Sequence, residues 1–107
     1  MFYSNKDDGY VQALECITRK TLVYGDSTLL TEFRMNRGSA LPKHAHPYEQ
    51  TGYLVSGHMR LTIGGETFDT RPGESWCIPS GVEHGAQILA DTVAIEVFSP
   101  VREDYLP

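Results

Sequence analysis

The stretch HAHPYEQTGYLVSG puts His44 and His46 one residue apart and follows them with Gln50. Imidazole nitrogens suit most first-row divalent ions, and the Gln50 side chain offers a carbonyl oxygen that carries no charge. Side chains repeat every two residues on a β-strand, so a regular strand here aims His44, His46 and Gln50 at one face. Glu49 has the opposite parity and is the weaker ligand candidate, although a bulge near Pro47 would reverse that. An HxH pair taken alone is as readily two surface histidines in a polar loop. His84, taken alone, is more often a hydrogen-bonded loop histidine than a ligand.

A second group of residues sits near the end of the sequence. Glu96 and Phe98 share parity, so a carboxylate and an aromatic ring line one strand face while Val93, Ile95 and Val97 pack the other. A glutamate on the inner face of a small barrel is costly unless it serves a polar site. Arg102 carries a planar fork suited to a carboxylate; the plainer alternatives are a solvent-facing Glu96, a core Phe98 and a rim Arg102 in a surface ion pair. Tyr48, Tyr53 and Trp76 are candidates to line a pocket by stacking, though strand aromatics more often simply pack. Cys16 and Cys77 have no paired base legible in the sequence and read as structural thiols; His58 reads as a surface residue.

Several short strands must position these groups. Leu29, Thr31, Phe33 and Met35 alternate with Leu30, Glu32 and Arg34; residues 93–98 alternate in the same way; Met59, Leu61 and Ile63 lead into a hairpin at Gly64-Gly65. RPG at 71–73 and PSG at 79–81 mark further turns. No long 3.6-residue stripe occurs, and turns every eight to twelve residues or so predict an all-β sandwich or small barrel, with a jelly roll the best fit. Pro100 removes a ladder donor, so the tail FSPVREDYLP is expected to leave the sheet and cross the barrel mouth or rim. The 107 residues predict a single domain, 1–107. A net charge of −5 offers no basic field for nucleic acid or anionic lipid. The N-terminus MFYSNKDDGY has neither a basic segment nor an apolar run, and the expectation is a cytoplasmic protein with free thiols.

Longer spacing adds to this. Gly38 precedes His44 by five residues, Gly57 follows Gln50 by six, and PGESWCIPSGVEH supplies Gly73, Pro79, Gly81 and His84. The sequence thus resembles the cupin superfamily over two motifs, 38–57 and 73–88, with Gln50 at the position of the motif glutamate and Ile88 at that of the motif asparagine. The resemblance implies a cupin jelly-roll β-barrel and a divalent metal held by His44, His46, Gln50 and His84. Three imidazoles and an amide leave such an ion its full charge, favouring Lewis-acid and template chemistry over oxygen activation. Nickel, zinc, iron, manganese and copper all remain open.

HPYEQTGYLVSG and the ending EVFSPVREDYL look like the small KdgF-type cupins of pectin and alginate breakdown, which open unsaturated uronate monosaccharides into linear keto forms. That resemblance implies pocket roles for Glu96, which replaces the family's aspartate, and for Phe98 and Arg102. Glu96 would move protons, Arg102 would bind the sugar carboxylate, and Gln50 would assist on leaving the metal. The alternatives are a metal-dependent dioxygenase and a non-catalytic small-molecule or sugar-binding cupin. Exposed strand edges in a small domain lead us to expect a homodimer, with Phe2 to Ser4 adding to a neighbour's sheet.

Overall fold

The structure, a computed structural model, describes residues 1–107 and contains eight strands and one turn of 3-10 helix. The strands are β1 (Val11–Leu14), β2 (Ile17–Tyr24), β3 (Leu29–Met35), β4 (Ala40–His44), β5 (Glu49–Ile63), β6 (Glu66–Thr70), β7 (Ser75–Ile78) and β8 (His84–Ser99). All pairings are antiparallel, in the order β1-β2-β3-β8-β5-β6, with β4 added to β8 and β7 added to β5. Period-two patterning explains the inside of this jelly roll. On β3, Leu29, Thr31, Phe33 and Met35 are buried while Leu30, Glu32 and Arg34 face outward. On β8, Thr92, Ala94, Glu96 and Phe98 face inward, and Val93, Ile95 and Val97 cover the outer face.

The two long strands organise the rest. β5 pairs with β8 from Glu49↔Ser99 to Ile63↔His84, and register shifts between Leu54 and Met59 bend the pair. β8 therefore brings His84 from its first residue, and Glu96 and Phe98 from its last turn of sheet, into one barrel. The core beneath comprises Ile17, Leu29, Phe33, Met35, Leu54, Met59, Leu61, Ala86, Ile88, Ala94 and Phe98.

Beyond Ser99 the chain leaves the sheet, as Pro100 requires. It ends in the 3-10 turn Glu103–Tyr105, with Val101 and Tyr105 packed against the core. Tyr105 lies between two guanidinium groups, Arg19 at 3.8 Å and Arg102 at 3.9 Å from its ring centre. The Thr21 hydroxyl donates to its carbonyl. The tail is thus clamped across the barrel by cation–π contacts, each worth about 0.5–2 kcal/mol. Residues 1–10 form no strand; Tyr10 donates to Glu32, and Phe2 and Tyr3 are exposed.

Candidate metal centre

The expectation that His44, His46 and Gln50 share one regular strand is not met. His44 is the last residue of β4, His46 stands in the turn beyond it, and Gln50 is the second residue of β5. Their convergence has a different cause. On β4, Leu41 faces Ala86 and His44 faces His84, so three steps on one strand answer two on the other. The extra residue is a bulge at Pro42–Lys43, and it turns both Leu41 and His44 inward where simple alternation would part them. Gly85 makes room for it: a Cβ there would lie 2.8 Å from the Leu41 carbonyl oxygen. The turn carrying His46 is tied to the PSG turn, since Gly81 N–H donates to the His46 carbonyl at 2.9 Å and the Ser80 hydroxyl to the Pro47 carbonyl at 2.7 Å. β5 is regular from its start, so Glu49 stays outside and exposed.

His44, His46 and His84 form a cluster whose candidate donor atoms all lie within 4.8 Å of one another. The ring centres of His44 and His84 are 4.2 Å apart, and those of His46 and His84 4.8 Å. Nδ1 of His44 lies 2.8 Å from the Pro42 carbonyl and Nδ1 of His84 2.9 Å from that of Val82. A carbonyl only accepts, so each Nδ1 carries the proton and each Nε2 keeps a free lone pair, the usual support of a metal-binding histidine. Nε2 of His84 is buried with no hydrogen-bond partner. Burial, the largest cause, holds the His46 and His84 imidazoles below their ordinary range and so in the neutral form a metal needs.

Gln50 sits between this cluster and a buried acid. Its Nε2 donates to Glu96 Oε2 at 2.6 Å, and its Oε1 lies 3.0 Å from His46 Nε2. A carboxylate accepts, so the amide nitrogen must face Glu96 and the oxygen must face the histidines. Two donors about 2.1 Å from one ion and at right angles to each other stand about 3 Å apart. The His46–Gln50 separation therefore suits two ligands of one ion as well as a hydrogen bond. Three neutral imidazoles, two of them with a buried nitrogen that lacks a hydrogen-bond partner (Nδ1 of His46 and Nε2 of His84), and one amide oxygen fit a divalent metal.

Glu96 is 9% exposed, and burial pushes its carboxyl above the usual carboxylate range, opposed by hydrogen bonds from Gln50 and Trp76 and by the Arg102 charge. Trp76 Nε1–H donates to Glu96 Oε1 at 3.0 Å. Phe98 is both core and pocket wall, its ring centre 5.9 Å from that of His46. Arg102 lies over Tyr48, Phe98 and Tyr105 and is held by Asp104 through Nε at 3.2 Å and Nη2 at 2.8 Å. That pair occupies one edge of the guanidinium and leaves the Nη1/Nη2 edge for another carboxylate. It also holds Asp104 below the usual carboxylate range.

The structure thus gathers His44, His46, His84, Gln50, Glu96, Phe98 and Arg102 at one end of the barrel. Tyr48 joins them at the lip, 5.7 Å from His46 between ring centres, whereas Tyr53 pairs with Ile95 on the outer face and is exposed. His58 is on the surface beside Asp69. Asp104, Gly52 and Gly85 escaped the sequence reading, and Trp76 contributes a hydrogen bond to Glu96 that the sequence did not suggest.

The model of the Cupin domain matches residues 31–99. The chain belongs to the cupin family. Among solved cupin-like structures, KdgF from Halomonas sp. is similar with a TM-score of 0.93 and 29% identity, over 99% of this chain and 98% of that one. An RmlC-like cupin from Shewanella frigidimarina follows with a TM-score of 0.92 and 25% identity, over 98% and 95% of the two chains. A protein of Streptomyces cyaneus named polyketide synthase CurC is 34% identical over 65 residues, 60% of this cupin and 42% of that protein. The chain therefore spans less than half the length of that curated relative. No helix is long and apolar enough to cross a membrane.

Proposed function

We propose that this cupin opens the ring of unsaturated uronate monosaccharides, giving linear keto acids in the breakdown of pectin or alginate. The observation that carries the reading is the buried Glu96 carboxylate one amide away from the three-histidine cluster, with Arg102 at the lip. His44, His46, His84 and Gln50 would hold a divalent ion. When bound, it supplies a positive centre that polarises substrate oxygens.

The protein's own residues carry the other steps. Arg102 offers its free edge to the sugar carboxylate, stacked firmly enough on Tyr48, Phe98 and Tyr105 that little side-chain freedom is lost on binding. Phe98 walls the pocket against water. Glu96, as carboxylate, takes the proton of the ring hydroxyl while the ring C–O bond breaks, and a proton is returned to the enol carbon. The reaction is an isomerisation with no net change in protons or electrons. Proton transfer by a positioned carboxylate contributes about a hundred- to ten-thousandfold.

Incubation with unsaturated galacturonate, followed by the ultraviolet absorbance of the conjugated enol acid, tests the reading. Decay faster than the spontaneous rate is expected, without oxygen uptake; oxygen consumption would point to a dioxygenase, and ligand stabilisation without product to a binding protein. The likeness to the protein named polyketide synthase favours a second reading, action on a polyketide, which a neutral polyketone would support only if Arg102 proved dispensable. The uronate reading goes with a cytoplasmic location, with which the free Cys16 and Cys77 agree. It goes also with a homodimer seated on the exposed Phe2 and Tyr3; a monomer in light scattering would remove that part.

A further inference from the structure

Trp76 is the one tryptophan in the chain. Its place is set by a row across three strands: Trp76 on β7 faces Gly52 on β5, and Gly52 faces Glu96 on β8. Neighbouring strands stand about 4.8 Å apart, so the backbones at 76 and 96 are about 10 Å apart with Gly52 between them. A Cβ on Gly52 would lie 2.2 Å from Cε2 and 2.3 Å from Nε1 of the indole. Glycine is needed here for space, because the indole crosses the bare backbone at 52 to reach the second strand over. There its N–H meets Glu96 Oε1, while Gln50 Nε2 meets Oε2.

These two donors do different things. The terminal torsion of a glutamate is broad and two-fold, and a single hydrogen bond leaves the carboxylate free to turn about it. Two donors on opposite oxygens, from different strands, remove that freedom. Gln50 belongs to the histidine cluster; Trp76 does not touch it. The geometry points to Trp76 as a positioning residue that acts through the gap at Gly52 to fix the rotation of the Glu96 carboxylate. Trp76 makes no contact with substrate in this role, which rests on the reading of Glu96 as the proton-transfer group.

Two measurements test it. Without substrate, emission from Trp76 reports its acceptor directly. Glu96→Gln, which removes the charged acceptor, and Gly52→Ala, which displaces the indole, should each move the emission maximum, and an unmoved maximum in both overturns the proposal. In turnover, Trp76→Phe keeps an aromatic ring and loses the N–H. It should lower kcat roughly ten- to a hundredfold, the worth of one hydrogen bond to a charged group, with KM within about twofold. Benzothienylalanine at position 76 has the shape of tryptophan with sulfur in place of N–H, and it settles the matter should Trp76→Phe not fold. A kcat equal to that of the wild type in the donor-free proteins, or a change confined to KM, overturns the positioning role and leaves the uronate reading standing. A wild type that opens no unsaturated uronate removes both.

Discussion

Gln50→Glu probes the amide between the histidines and Glu96. Gln50 is 6% exposed and Glu96 9%, and their 2.6 Å contact runs from Nε2 to Oε2. In the variant that contact joins two carboxyl groups that cannot both ionise cheaply. Unit charges 4 Å apart repel by about 4 kcal/mol at an effective dielectric of about 20. One pK unit is worth about 1.4 kcal/mol, so the pair should keep one shared proton for about three units beyond its first ionisation. The native variant then binds a proton that the unfolded chain has released. Its stability must fall as pH rises, by up to about 1.4 kcal/mol per unit relative to the wild type. Urea unfolding of chelator-treated protein, at steps from about pH 5 to about pH 8 and with constant m-values, measures this. The two proteins should be close in stability at the acid end, and the variant about 3–4 kcal/mol weaker at the alkaline end. Adding zinc or nickel should narrow the gap, since a cation beside the pair offsets the added charge. Parallel stability curves for the two proteins without metal would refute the reasoning.

Burial raises the Glu96 pKa above 4.5, so its contribution to stability is present below the unfolded value and lost as pH rises through the folded one. Between those two values the thermal midpoint of Glu96→Gln should accordingly fall less with rising pH than that of the wild type, and equal slopes there would remove the claim. Gly85→Ala puts a Cβ 2.8 Å from the Leu41 carbonyl; it should cost about 1–3 kcal/mol in urea unfolding and weaken zinc binding in calorimetry, because the displaced bulge carries His44. A divalent metal at a hundredfold over its Kd should stabilise the protein by about 2.7 kcal/mol, and His84→Ala should abolish this. Because burial lowers the His46 and His84 pKa values below 6.5, protonation of these two rings should oppose the metal only below the ordinary histidine range, as a thermal-shift series against pH on the His44→Ala protein would show.

The strands were legible wherever the period-two signal was undisturbed. Leu29 to Met35 and Val93 to Phe98 read correctly because each strand has one buried face, and the inward aim of Glu96 and Phe98 follows from the same rule. The convergence of His44, His46 and Gln50 was anticipated from parity, but a bulge and a turn produce it. Parity alone could not place that bulge, since its cause is a contact between the β4 backbone and Gly85 on a strand forty residues later. Gly52 and Gly85 did carry a signal: a glycine inside a strand often marks a close approach of another group. What it faces is a property of register across strands, which the local pattern does not contain. That Arg102 could stand at the rim in an ion pair was among the readings of the sequence, but its partner Asp104 was hidden for a similar reason, because a tail without periodicity gives no face on which to place either residue.

The amide at position 50 shows why metal-ligand logic alone reaches only half of a site. Considered only as a ligand, Gln50 is a weaker donor than glutamate and leaves the ion its full charge. Its second neighbour changes the balance. Between the three-histidine cluster and the Glu96 carboxylate, the amide lies with oxygen toward the rings and N–H toward the acid, so both ends of one dipole would be favourably placed were the cluster to hold a cation. Glutamate would serve an ion better and repel Glu96; an apolar residue would offer an ion no fourth donor and leave Glu96 buried with the Trp76 N–H as its remaining side-chain donor. Only a side chain that accepts at one end and donates at the other, at about this length, meets both demands. A buried acid beside the cluster and an uncharged residue at position 50 are therefore consequences of one another.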